Sequence, residues 1–116
     1  MLKILFVCEA NHDRSPTAED IYRNYPGIEA KSAGRAFYAT TPIDAQLAEW
    51  ADVIFCMEDY QKDDLIERFS TILKGKEVVD LDIQDYYYRG DARLQELIRK
   101  RMEPWIAKYK QEGLIE

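Results

Sequence analysis

Histidine and cysteine are nearly absent from the 116 residues: there is one of the first and two of the second. Cys8 and Cys56 each sit inside an apolar segment. Two cysteines are too few for a disulfide framework, and a reducing cytoplasm is the expected setting. A lone histidine with two distant cysteines offers no ligand set for a structural metal, so no metal and no cofactor is expected. Basic charge is short as well, with 16 Lys+Arg against 22 Asp+Glu and a net charge of -6. Nucleic acid and anionic membrane surfaces attract a positive field, so neither is an expected partner. Long apolar runs are missing: none exceeds Ile4 to Cys8, far below the roughly 20 residues that span a bilayer. The first residues also lack the length and small-residue cleavage site of a signal peptide. No repeat, low-complexity tract or linker interrupts the chain, and residues 1–116 are expected to form one domain.

What is present is an ordinary globular mixture, 47% hydrophobic and 33% charged. Residues 2–7 read as a strand buried on both faces. Ser15 and Pro16 read as an N-cap and a first-turn proline for a helix that Pro26-Gly27 ends. A second strand is predicted over 28–33. Thr41 with Asp44 three residues later opens a short helix to Trp50, and 53–57 is a third strand. Leu65, Ile66, Phe69, Ile72 and Leu73 recur at helical spacing and predict a helix over 58–73. A fourth strand follows over 77–83. The last helix carries Leu94, Ile98, Met102, Ile106 and Tyr109, and Pro104 inside it is expected to kink or split it. Strands alternating with helices imply an α/β/α three-layer sandwich around a four-stranded parallel sheet. Ligands of such folds sit at the carboxyl ends of the strands. The loops after strands one and four, residues 8–15 and 84–90, fall there.

The first of these loops reads Cys8-Glu9-Ala10-Asn11-His12-Asp13-Arg14-Ser15. Successive backbone N–H groups in a tight loop form a nest for an anion, and a helix start adds its positive dipole end. Arg14 brings a planar fork that grips two phosphate oxygens at once. Cys8, facing the same field, is a candidate nucleophile, and Ser15 a hydroxyl donor to its sulfur. The plainer alternative is a strand–helix turn in which Cys8 is a small buried hydrophobe.

Residues Leu5-Phe6-Val7-Cys8 through Asn11, then Arg14-Ser15-Pro16-Thr17-Ala18-Glu19, resemble the low-molecular-weight protein tyrosine phosphatases, whose signature is V-C-x-G-N-x-C-R-S-P-x-A-E. Ser32-Ala33-Gly34, Ala51-Asp52-Val53-Ile54 with Met57, and Asp82-Ile83-Gln84-Asp85 before three tyrosines follow in the family's order. The chain looks like a shortened member, the missing stretch lying between Gly34 and Ala51. The resemblance implies strand order 2-1-3-4 and a cofactor-independent phosphatase acting through a phosphocysteine. Its substrate would be a phosphorylated protein, phosphotyrosine first, or a small phosphomonoester. By the same resemblance Cys8 is the nucleophile. Arg14 and the loop amides of Glu9, Ala10, Asn11, His12 and Asp13 hold the phosphoryl group. Asn11 keeps the loop in a strained conformation, and Ser15 steadies the sulfur. Asp85 is the general acid, with Asp80 and Asp82 as close competitors. Of the tyrosines Tyr86, Tyr87 and Tyr88, the last two wall the substrate slot, although packing the last helix is an alternative use for at least one.

The chain departs from the signature at several positions. Asp13 replaces its second cysteine, so no disulfide can protect Cys8 there, and Cys56 reads as a core residue. Ala10 replaces its glycine and is strained if that position needs a positive φ. Glu9 and His12 stand where relatives line the slot. A carboxylate there repels a phosphate dianion unless it turns outward or pairs. Glu9 and Asp13 therefore argue for the alternative of a phosphate-binding or phosphoprotein-sensing module with impaired turnover. An acidic wall also suits a cationic leaving group, as in a phosphoarginine phosphatase. A sulfur phosphocarrier is disfavoured by Arg14.

Overall fold

The computed structural model describes Met1–Glu116. Apolar residues in its first strand alternate between two cores. In β1 (Leu2–Cys8), Ile4, Phe6 and Cys8 face one core and Leu5 and Val7 the other. Both faces must then be covered, and helices cover both. α1 (Arg14–Tyr22) and α4 (Ala92–Gln111) lie on the first face through Ala18, Tyr22, Leu94, Ile98, Met102 and Tyr109. α2 (Ala45–Trp50) and α3 (Asp59–Arg68) lie on the second through Ala48 and Leu65. Phe6 stacks between Tyr22 and Phe55 with ring centroids 5.8 and 5.9 Å away, at the centre of the larger core.

β1 pairs in parallel with β2 (Ile28–Gly34) and β3 (Val53–Cys56), and β3 with β4 (Glu77–Asp80). The order is β2-β1-β3-β4. This is the four-stranded α/β sandwich expected from the sequence. It brings the ends of β1, β3 and β4 to one edge.

The local differences have physical reasons. α1 begins at Arg14, not at a Ser15 cap, because the Ser15 hydroxyl is occupied by Cys8 and by the Ala33 carbonyl. α2 is capped by Asp44, which accepts from Leu47 N at 2.8 Å, and the upstream Pro42 instead bridges to Gly34. α3 ends at Arg68, and the apolar residues beyond it pack from a series of turns. β4 ends at Asp80, yet Leu81 and Ile83 still donate to the Cys56 and Met57 carbonyls at 2.8 Å, which extends the chain along the edge of the site. Pro104 does not split α4. Met102 and Ile106 on either side of it are buried in the core and keep both halves on the same face.

Candidate active site

Cys8 ends β1, and the loop after it curls back over its sulfur. Asn11 N donates to Cys8 Sγ at 3.2 Å, and Ser15 Oγ lies 3.0 Å from the same sulfur. The reversal needs one left-handed residue, and Asn11 supplies it with φ 57°. Asparagine tolerates this region better than most side chains. Its Nδ2 donates to Ser15 Oγ at 2.9 Å and to Ser32 Oγ at 3.0 Å, while Ser32 donates to Glu19 at 2.6 Å. The turn is therefore locked from behind. The expectation of strain at Ala10 does not hold, because the positive φ falls on the next residue.

The carbonyls of Cys8, Glu9 and Ala10 are consumed by the N–H groups of Arg35, Ala36 and Thr40, at 2.8, 3.0 and 3.1 Å. That close approach requires Gly34. A Cβ there would run into Ala39 Cβ and stand 2.7 Å from the Glu9 carbonyl.

Arg14 is only 2% exposed, so its charge must be answered inside the protein. Nη1 donates to Glu58 Oε2 at 2.7 Å and to the Ile83 carbonyl at 2.8 Å. Nε stands 3.8 Å from Asp85 Oδ1. Glu58 is also the N-cap of α3, in a capping box with Gln61. Sequence reasoning missed Glu58. Its signal was a carboxylate two residues after β3, at the carboxyl edge of the sheet.

The three candidate acids separate cleanly. Asp80 caps the N–H of Asp82 at 2.7 Å, and Asp82 borders a pocket with Tyr87, Leu97 and Arg101. Only Asp85 reaches Arg14, and its side chain is 64% exposed beside the loop.

Both carboxylates that the sequence marks as repulsive, Glu9 and Asp13, have partners. Arg35 grips Glu9 with two bonds, Nε to Oε1 at 2.9 Å and Nη2 to Oε2 at 2.6 Å, and the Tyr60 hydroxyl donates to Oε1 at 2.9 Å. These bonds, the Arg35 pair above all, hold the Glu9 carboxyl below the usual glutamate range against the opposing effect of partial burial. Asp13 turns toward the segment after β4 and accepts from Arg89 N at 2.9 Å. His12 is exposed and makes no side-chain hydrogen bond.

Tyr87 fits the packing use the sequence left open for one of the tyrosines. It is half-buried against the larger core, and its ring lies under the Arg93 guanidinium of α4 at 5.4 Å. Tyr88 and Tyr86 stay exposed, Tyr88 at 83%. Phe37, 92% exposed, and Tyr38 stand in the segment bonded to the Glu9 and Ala10 carbonyls, and sequence reasoning passed over both. Their signal was two aromatics in a loop after β2. Cys56 is fully buried, and burial pushes its thiol up to about 12.

No family model matches the chain. A curated protein-arginine-phosphatase of Geobacillus stearothermophilus is 30% identical over 91 residues, 58% of this chain and 62% of the relative. The match thus spans less than two thirds of that relative's length. The solved YwlE arginine phosphatase of the same organism superposes with a TM-score of 0.72 at 25% identity, covering 96% of this chain and 97% of that one. SP-PTP, the low molecular weight protein tyrosine phosphatase from Streptococcus pyogenes, superposes at 0.77 with 18% identity and 93% of both chains covered. The chain has the fold of the low-molecular-weight protein tyrosine phosphatases and is similar in sequence to the arginine phosphatases among them. The strand order the family resemblance implies is the one observed. At the position of the second signature cysteine this chain carries an aspartate fastened to a backbone N–H, and at the signature glycine an alanine without a positive φ.

Proposed function

We propose that the protein is a phosphatase that works through a phosphocysteine on Cys8. The observation that carries this reading is the sulfur itself, held under the Asn11 N–H and the Ser15 hydroxyl at the mouth of a helix, with Arg14 buried and pinned beside it. In the first step the Cys8 sulfur attacks phosphorus, the bond to the leaving oxygen breaks, and Asp85 gives that oxygen its proton. Arg14 and the loop amides meet the charge that builds on the equatorial oxygens. In the second step the Asp85 carboxylate takes a proton from water, the water oxygen attacks phosphorus, and the sulfur leaves toward its two donors. No cofactor is needed in either step.

Phosphotyrosine in a protein is the substrate the rim favours, because exposed Phe37, Tyr38, Tyr86 and Tyr88 offer aromatic faces for stacking. Phosphoarginine is the second reading. The arginine phosphatases among the relatives favour it, as does the exposed Asp85 carboxylate beside the slot. Glu9 adds nothing to that reading, since Arg35 already occupies it. Cys56, on the strand beside Cys8, faces the opposite core, so Cys8 is a free thiol with no partner to shield it, which suits a reducing cytoplasm. The test is hydrolysis of para-nitrophenyl phosphate by the wild type and Cys8→Ser, followed by phosphotyrosine and phosphoarginine peptides. Turnover that disappears in Cys8→Ser is the expected result. Phosphate binding without turnover in the wild type would replace the enzyme with a phosphate-sensing module.

A further inference from the structure

Two adjacent residues of the phosphate loop hold both ends of the segment that carries Asp85. Arg14 Nη1 donates to the Ile83 carbonyl at 2.8 Å, and Asp13 Oδ1 accepts from Arg89 N at 2.9 Å. Asp85 lies between these anchors in sequence, and its only polar partner is Arg14 Nε at 3.8 Å. Residues 81–91 form no helix or strand. Inside the segment Tyr87 packs on the larger core and Tyr86 N donates to the Gln84 carbonyl at 3.1 Å, but no hydrogen bond holds the Asp85 carboxyl itself, so its position leans on the anchors.

The Arg89 end is fastened to the first two turns of α1. Thr17 Oγ1 donates to the Asp13 carbonyl at 2.6 Å and accepts from Gly90 N at 3.0 Å. The Arg89 guanidinium bridges both oxygens of Asp20 at 3.0 Å. That last pair is exposed on both sides and contributes little by itself. The Asp13 bond is different. Its carboxylate sits at the N-cap of α1, where the helix dipole favours negative charge, and its acceptor is spent on a backbone N–H. With Arg89 held, five residues separate the anchors. With Arg89 released, Thr17 still holds Gly90, so the free stretch grows by one residue, about 3.3 Å of reach, enough to let the Asp85 carboxyl leave Arg14.

We propose that Asp13 is a positioning residue that fastens Arg89 and so keeps the general acid Asp85 beside Arg14, on the leaving-group side of the phosphate loop. This rests on the phosphatase reading above. It gives the aspartate at the signature's second cysteine position a mechanical role in coupling the two loops.

The test compares phenyl phosphate, whose leaving group needs a proton, with para-nitrophenyl phosphate, whose leaving group needs one far less. In Asp13→Ala the ratio of kcat on the first to kcat on the second should fall about tenfold, part of the ~10²-fold that a general acid contributes. Asp85→Asn sets the full loss, and Asp13→Asn, which keeps an acceptor oxygen, should restore most of the ratio. Hydrogen exchange of the Arg89 amide should quicken at least about tenfold in Asp13→Ala and stay near wild type in Asp13→Asn. An unmoved ratio in Asp13→Ala, beside a lowered one in Asp85→Asn, overturns this role alone. So does unchanged exchange at Arg89. Wild type without Cys8-dependent turnover overturns the phosphatase reading and this role with it.

Discussion

Arg14 is as buried as the core around it and still carries a full charge, which is tolerable only because Glu58 and the Ile83 carbonyl share one of its nitrogens. Those contacts fix the plane of the guanidinium before any ligand arrives. A phosphoryl group in transfer spreads charge over its equatorial oxygens, and a fixed fork meets it without reorganising. Lysine keeps the charge but loses the plane and the second donor. Arg14→Lys should therefore lower kcat about 100-fold, comparable to removing an oxyanion donor. Steady-state kinetics on an aryl phosphate measure it, and near-normal turnover would show that this side chain does not hold the phosphoryl group. Cys8, Asn11, Arg14 and Ser15 could be read from the sequence because the loop that unites them is contiguous. Glu58, Arg35 and Tyr60 could not. Their partners Arg14 and Glu9 lie 44, 26 and 51 residues away, and only the folded sheet edge brings them together. The same pairing reversed the meaning of Glu9, from a repulsive carboxylate to one already matched with a cation.

Among the elements, the strands and their order follow from apolar alternation and parallel crossover, and these were visible in the residue pattern. The ends were less so. β4 and α3 stop early because apolar residues beyond them pack from extended chain and turns, which periodicity alone reads as more strand and more helix. The end of β2 carries a requirement that no periodicity reveals. Gly34 lets the 35–40 segment lie against the phosphate loop and bond three of its carbonyls. A methyl group at this position meets the Ala39 side chain and the Glu9 backbone, and neither is the free end of a flexible chain. Gly34→Ala should then destabilise the fold by roughly 2–4 kcal/mol, in the range of buried overpacking and strain, and weaken phosphate binding as the loop shifts. Urea denaturation and phosphate titration check the two parts. Wild-type stability in Gly34→Ala would mean that the two segments separate without cost.

At the scale of the whole molecule, acidity works in two directions. The net charge of -6 means that protonating carboxylates as pH falls first relieves repulsion between like charges. Against this stands Glu9, whose carboxyl the Arg35 guanidinium and the Tyr60 hydroxyl hold below its ordinary value of 4.5. A carboxyl depressed in the folded state binds its proton more readily in the unfolded chain. Its contribution to stability is present in full above the unfolded value and is lost as pH falls through the folded one. Asp91 is depressed as well, through Arg93, but its partner is exposed at the start of α4 and the pair is screened by solvent. The Glu9 pair links the phosphate loop, the segment after β2 and the start of α3, so losing it loosens three elements at once. Wild type should accordingly lose stability on going from about pH 5 to about pH 3, a window that starts at the ordinary glutamate value and runs below it. Glu9→Gln keeps an acceptor oxygen but cannot titrate. It should be less stable than wild type at pH 7 and should close that gap as pH falls through the window, since general charge relief acts on both proteins alike. Urea midpoints at pH 7, 5, 4 and 3 for the two proteins measure the convergence. Parallel curves would mean that the Arg35 pair stabilises Glu9 no better than water does, and that the loop is held by its backbone bonds alone.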